Sequence, residues 1–382
     1  MHSGRFWFAF LIVAIAGLCL VVANAYTIPR YSARYEQDCN LCHVSPTGGG
    51  QRTTYATQYI VPKEMAWLKL SDSTMAAIEP QLSKTVTIGA DVRTFFFRDD
   101  LGPTDIVQTL PFQDFVQMQG NLYLTLQLTD RFSLYFDKGI GPTSSTPELY
   151  GLGYILPYTG WVKVGRFTPD FGWRTPDHTA FTRQYLGFIP PFQTDVGVEA
   201  GINPGNLMLT GTVMNGNLGS TSDTDDRLEL VGRAQYRMHA GNLGFAVGGS
   251  GLWNRQFDRE QTAYGPFGYF HFKALTWIWE ADFSKSKDLA TLADSTSFFT
   301  SHEVTGKLRQ GFDLKGTIDV YDPNTDLSSG KRIRYGFGAE SMLYPFVRLE
   351  AMAYLYRNLD ESGISYPESE YSEFVAQLHF FY

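Results

Sequence analysis

The stretch VQMQGNLYLTLQL, residues 116–128, alternates without a break. Val116, Met118, Gly120, Leu122, Leu124, Leu126 and Leu128 fall on one side. Gln117, Gln119, Asn121, Tyr123, Thr125 and Gln127 fall on the other. A period of two residues places these sets on opposite faces of a β-sheet. A soluble sandwich buries the apolar face. A membrane barrel turns it to lipid and keeps the polar face in a wet lumen.

The pattern recurs on both sides of that stretch. In Phe312–Tyr321 the residues Asp313, Lys315, Thr317 and Asp319 share the polar face. In Phe346–Arg357 the residues Arg348 and Glu350 are polar, while Val347, Leu349, Ala351 and Ala353 are apolar. The last segment alternates through Phe374, Ala376, Leu378 and Phe380 to a terminal Tyr382, in the manner of an outer-membrane assembly signal. Short turns are expected near Thr129-Asp130, Pro157–Gly160, Asn203–Asn206, His239–Asn242, Lys273–Thr276, Arg309–Gly311 and Leu343–Pro345. Longer polar loops alternate with them, at Asp99–Gln113, Gly141–Thr146, Pro169–Pro191, Asn217–Asp225, Arg255–Thr262, Lys287–Asp294, Asp322–Gly330 and Asn358–Glu368. Short turns on one side and long loops on the other are the asymmetry of outer-membrane barrels. The expected fold is all-β, a transmembrane antiparallel barrel of about 16 strands over residues 84–382. Both barrel ends then fall on the periplasmic side.

The chain begins as an exported protein does. Arg5 precedes an apolar run from Phe6 to Val22, and Ala23-Asn24-Ala25 supplies small residues for cleavage, so residues 1–25 read as a signal peptide. Composition suits strands: 29 Phe, 22 Tyr and 7 Trp accompany 37 Gly. The net charge is −8, and losing Arg5 makes the mature chain more negative. That balance argues against a nucleic-acid partner. Of 3 cysteines, Cys19 leaves with the signal. Cys39 and Cys42 remain, both inside one motif, so no structural disulfide is expected.

That motif is Cys39-Asn40-Leu41-Cys42-His43, a CxxCH. The spacing suits c-type haem attachment: two thiols add across the porphyrin vinyl groups, and the next histidine supplies an axial nitrogen to iron. A zinc site would need further Cys or His nearby. The segment 26–83 has none beyond the motif. It therefore reads as a monohaem cytochrome c-like segment, with one covalent haem c on Cys39 and Cys42 and His43 as proximal ligand. Candidates for the sixth ligand are Met65, in a weakly helical stretch Pro62–Leu70, Met75, and the distant His178. Five-coordinate iron is the alternative. The segment is short for an independent core, so it is expected to dock in the periplasmic mouth or the lumen.

The third long loop, within GRFTPDFGWRTPDHTAFTRQYLGFIPP (Gly165–Pro191), is the longest. It mixes Asp170, Arg174, Asp177, His178 and Arg183 with Phe171, Trp173 and Phe181. Loops of this length are commonly functional. It either folds into the lumen, as a constriction or towards the haem, or packs outside as an ordinary surface loop. His239, His271 and His302 suit surface roles, and His379 suits the lumen lining.

A signal peptide, one CxxCH near the mature N-terminus and a porin-like barrel to the C-terminus together resemble the fused monohaem cytochrome–porins of the outer membrane. The best-known members are the iron oxidases of iron-oxidising bacteria. The likeness is strongest at Arg34-Tyr35, at Cys39–Pro46 and in the Gly-rich, aromatic stretch to Tyr59. Gly48–Gly50 and Thr53-Thr54-Tyr55 depart from the iron-oxidase pattern. Val164–Gly172, VGRFTPDFG, is similar to an element of phosphate-type porins. The resemblance implies electron transfer across the outer membrane. An extracellular donor or acceptor such as ferrous iron would face one side, and a periplasmic c-type cytochrome or other electron carrier the other. Glu280, Asp282, Asp313, Asp319 and Glu350 would draw the cation into the lumen. Two alternatives stand beside it: a transport porin with a haem-containing plug or sensor, and a scaffold barrel of a multihaem conduit.

Overall fold

A computed structural model describes residues 29–35, 39–100, 112–141, 148–188, 193–220, 222–223, 225–256, 258–327, 329–359 and 370–382. The signal segment lies outside them. Among the described residues the chain forms a closed antiparallel barrel of sixteen strands, β2 to β17. These are β2 (Val86–Asp100), β3 (Phe112–Gln127), β4 (Phe132–Gly139), β5 (Leu149–Leu156), β6 (Gly160–Phe167), β7 (Asp195–Ile202), β8 (Leu207–Met214) and β9 (Glu229–Ala240). They continue with β10 (Leu243–Arg255), β11 (Arg259–Phe272), β12 (Leu275–Asp288), β13 (Asp294–Arg309), β14 (Phe312–Asp322), β15 (Lys331–Tyr344), β16 (Val347–Leu359) and β17 (Glu370–Phe381). A short β1 (Gln81–Ser83) pairs with β2 ahead of the barrel. Each barrel strand bonds the next, and β17 closes on β2, so no edge is left unpaired. Each expected short turn falls between two strands, within a residue or two of its expected bounds. The expected loop Arg255–Thr262 is shorter, because β11 begins at Arg259, and the expected loops Asp99–Gln113, Gly141–Thr146 and Asn358–Glu368 lie largely outside the described residues.

The alternation sorts side chains as periodicity predicts. On β14, Asp313, Lys315, Thr317 and Asp319 are buried, while Leu314 and Ile318 are exposed on the outer surface. On β17, Phe374 and Phe380 point out and His379 is buried inside. One stretch corrects the sequence reading. The β2–β3 register slips between Arg93 and Thr94, opposite Met118. A single extra residue reverses the faces beyond it. Phe115, at 74% exposure, therefore points outward, while Met118 lines an internal cavity.

The lumen is filled from both ends. From the turn side comes the N-terminal segment: a helix Pro29–Tyr35, a helical turn Cys39–Cys42, a wide-wound π-helix Ala56–Met65 and a short helix Asp72–Ala76. The π-helix stops at Met65, whereas Pro62–Leu70 was the expected helical span. Pro62 has no N–H to donate, and the next turn closes through Ala66 N–H to the Val61 carbonyl. Trp67 and Leu68 N–H then donate to the Met342 and Leu343 carbonyls at the β15 end, and Arg309 lies over the Trp67 ring at 2.9 Å. Gly311, with φ +72°, leaves the space this crossing needs. From the loop side comes the third long loop. Its Phe171, Trp173, Phe181 and Phe188 are buried, so it folds into the lumen.

Candidate functional site

The N-terminal segment is anchored by ion pairs as well as by apolar contacts of Ala33, Val61 and Ala66. Arg30 reaches Glu340 at 2.7 Å with both carboxylate oxygens engaged, and Tyr31 donates to the same carboxylate at 2.7 Å. Arg34 forks onto Asp313 at 2.8 Å and onto Thr305. These pairs are buried, and removing one partner of such a pair costs about 3–5 kcal/mol. They fix the helix Pro29–Tyr35 against the wall, which sets where the following CxxCH lies.

Past the motif, the chain makes a tight reversal through Gly48, Gly49 and Gly50, all at positive φ. A Cβ on Gly50 would overlap the Tyr135 hydroxyl, which accepts from Gln51 N–H at 3.1 Å. Thr125 donates to the Gln51 side chain at 2.6 Å, and Lys163 donates to Thr47 at 3.2 Å. Tyr123, Tyr135, Tyr150 and Phe167 form a ladder of rings beneath this reversal. The motif thus rests on the β3–β6 wall. His43 and Arg52 pair as an antiparallel backbone bridge, and Thr53 N–H donates to the Cys42 carbonyl at 3.0 Å.

Where this segment meets the third loop, a cavity of about 340 Å³ remains, within the range of small-molecule and cofactor sites. Arg174 of the loop donates to the Gly48 carbonyl and pairs with Glu148 at 2.8 Å, joining the two fillings. Cys39, Cys42 and His43 all line the cavity. Of the sixth-ligand candidates, Met65 and His178 line it too. Met75 does not: it lies on Asp72–Ala76, a helix of mostly exposed residues beyond the π-helix. Met342 and His379, not singled out from sequence as ligands, are also on the lining.

The environment favours neutral donors. Burial, reinforced by the charges of Arg52 and Arg174, pushes His43 down to about 3. Burial, then Arg93, does the same for His178, again to about 3. Both imidazoles therefore keep a lone pair at neutral pH. Burial raises the Cys42 thiol to about 11. Both cysteines are free thiols. No cluster of three or more His, Cys, Asp or Glu suited to a metal ion occurs among the described residues. Two thiols, a neutral histidine and an enclosed volume on one wall are the donor set a covalent haem needs.

The carboxylates expected to attract a cation are engaged elsewhere. Asp313 holds Arg34, Asp319 holds Arg334 at 2.7 Å, and Glu350 holds Lys315 at 2.9 Å. Glu280 accepts from the Trp173 N–H at 2.9 Å. Neither these nor Asp282 lines the cavity. Asp313 seats the plug, and Glu280 and Asp319 accept from loop N–H groups, whereas Glu350 pairs within the wall. Arginines dominate its lining instead. Sequence periodicity could place acidic groups on the lumen face but not say which cation would come back to them. His271, expected at the surface, is buried against Thr276 beneath Arg34.

No protein-family model matches the chain, and no curated protein matches it in sequence. Among solved structures it is similar to the anion-selective porin from Comamonas acidovorans, at 12% identity over 78% of this chain and 99% of that one, TM-score 0.57. It is similar to outer-membrane expressed OmpT of Vibrio cholerae, at 10% identity over 80% of this chain and 100% of that one, TM-score 0.57. It is also similar to the outer membrane channel DcaP of Acinetobacter baumannii, at 13% identity over 77% and 97%, TM-score 0.54. At these identities the likeness is one of fold, and the fold is that of the outer-membrane porins.

Proposed function

We propose that this chain is an outer-membrane electron-transfer protein whose porin-like barrel holds one haem c inside its lumen. The observation that carries the reading is that Cys39, Cys42 and His43 line one cavity enclosed by the barrel, the plug and the inward loop. In the reading, Cys39 and Cys42 hold the porphyrin by thioether bonds, His43 is the proximal ligand, and Met65 or His178 is available on the same lining for the sixth position. Bound there, the group supplies one-electron exchange at iron.

The chain's own residues do the rest. The plug arginines Arg30 and Arg34 fix the motif in depth. Arg174 clamps the reversal at Gly48, and Trp173 and Phe171 close the lumen above it. A hydrocarbon core of about 30 Å separates the two partners, so a site deep in the lumen shortens both halves of the path. The partners would be an extracellular donor or acceptor, iron by resemblance, and a periplasmic c-type cytochrome or similar carrier. Outer-membrane lipid would surround the exposed apolar residues.

A second reading is favoured by the porin fold and the arginine-rich lining: a transport porin whose N-terminal plug closes or senses an anion path. One experiment separates them. The full chain is placed in vesicles containing a membrane-impermeant electron acceptor, and a reductant is added outside. Reduction inside without ion leakage supports electron transfer. Ion or anion flux without reduction supports the porin.

A further inference from the structure

Beyond the motif itself, the cavity lining carries Met65, Met118, Met208, Met342, His178 and His379 as side chains able to bind iron. What already holds each of them separates them. Met65 packs against the cluster of Cys42, Ala56 and Ile60 and against that of Val61, Ala66, Met342 and Phe381. Its thioether, like that of Met342, belongs to the plug's own apolar contacts. Met208 lies in the wall cluster with Tyr135 and Trp161. His379 Nε2 is 2.9 Å from Asp91. Met118 stands in the wall at the β2–β3 bulge. A thioether is the softer donor, whereas imidazole suits iron in either oxidation state.

His178 is held differently. Among the described residues, neither of its ring nitrogens has a hydrogen-bond partner. The residues around it are pinned instead. The Pro176 carbonyl accepts from Arg93 of β2 at 3.4 Å, and Asp177 pairs with Arg334 of β15 at 2.9 Å. Asp177 also accepts from the Thr179 N–H at 2.8 Å. The loop backbone is thus fixed to the wall on both sides of an imidazole whose nitrogens are left for the cavity. Fixing a ligand through its neighbours while its donor atom stays free is how a metal site is preorganised. The imidazole is also neutral, as a ligand must be. The motif enters from the turn side and the loop from the loop side, so the one cavity receives a histidine from each filling. Resting on the cytochrome reading above, we propose that His178, delivered by the inward loop, is the sixth ligand opposite His43. The centre is then bis-histidine, and the third loop is part of it.

The test uses the full chain in detergent, with H178A, H178M, M65L and M118L, covalent haem being checked first on a denaturing gel. The wild type should give a low-spin spectrum, and its reduced haem should exclude carbon monoxide. H178A should lose the low-spin bands and take up carbon monoxide, and free imidazole should restore the bands. M65L and M118L should keep the wild-type spectrum. H178M keeps a donor and most of the bulk. It should raise the haem potential, as Met/His ligation does, favouring the reduced form by more than about tenfold, equivalent to about 59 mV for one electron. That variant carries the test if H178A fails to form a barrel. A spectrum unchanged in H178A, low-spin bands lost in M65L or M118L instead, or an unchanged potential in H178M overturns the assignment while leaving the cytochrome reading intact. A wild-type chain without covalent haem overturns both.

Discussion

The wall of this barrel and its filling are held by different physics. In the wall, every strand is satisfied by its two neighbours, and a period of two decides which side chains meet lipid. The contacts are local and repeated, and no single one is decisive. In the lumen, a few buried ion pairs join residues hundreds of positions apart: Arg30 to Glu340 across 310 residues, Arg34 to Asp313 across 279. The difference implies that the wall tolerates substitution and the filling does not, and that the two should fail separately.

The largest expected effect is chemical. Cys39→Ala with Cys42→Ala should abolish covalent haem while the barrel still folds, which a haem-stained denaturing gel beside a heat-modifiability assay would check. A barrel lost together with the haem would mean that wall and filling are one unit. Next comes the plug. Arg30→Ala leaves the buried Glu340 carboxylate with the Tyr31 hydroxyl at 2.7 Å and, as a cation, the 3.7 Å approach of Arg348. It should cost about 3–5 kcal/mol of plug seating and raise single-channel conductance in a planar bilayer.

In the wall, Leu122→Arg puts a charge on the lipid face and should cost about 2–4 kcal/mol if it lies near the bilayer midplane, measured by urea unfolding from vesicles. Acid should divide the two regions again. Asp177 of the inward loop, beside Arg334 at 2.9 Å, is held below the usual carboxylate range: burial opposes this, but Arg334 outweighs it. A depressed carboxylate stabilises above its unfolded value and loses that contribution as pH falls through the folded one. Proteolysis within the loop should therefore rise below about pH 4 while the barrel persists. The smallest effect is at the rim, where Lys285 meets Asp294 at 3.3 Å with both exposed. Lys285→Ala should shift stability by less than about 0.5 kcal/mol.

The same difference explains what could be read from sequence. Alternation along β14 and β17 names the lumen face residue by residue, and turn chemistry spaces the strands. Met118 escaped because one bulged residue reverses a face without altering composition. The filling has no period. CxxCH marks a cofactor locally, yet nothing near it says that Tyr135, Lys163 and Arg174 will surround it. Glu280 looked like a free lumen carboxylate because its partner, Trp173, lies 107 residues away; Asp319 has Arg334 directly opposite on the next strand, a pairing that needs the strand register to be seen. Met65 and Met75 were equal in sequence, and only the end of the π-helix separates them.

The most direct test of the central claim is the visible spectrum of the purified full chain, oxidised and then dithionite-reduced, before and after denaturation and acid–acetone extraction. A haem c bound through Cys39 and Cys42 gives a reduced c-type band that stays with the polypeptide after extraction. A colourless chain, or haem that leaves with the solvent, would contradict it and leave a plugged porin.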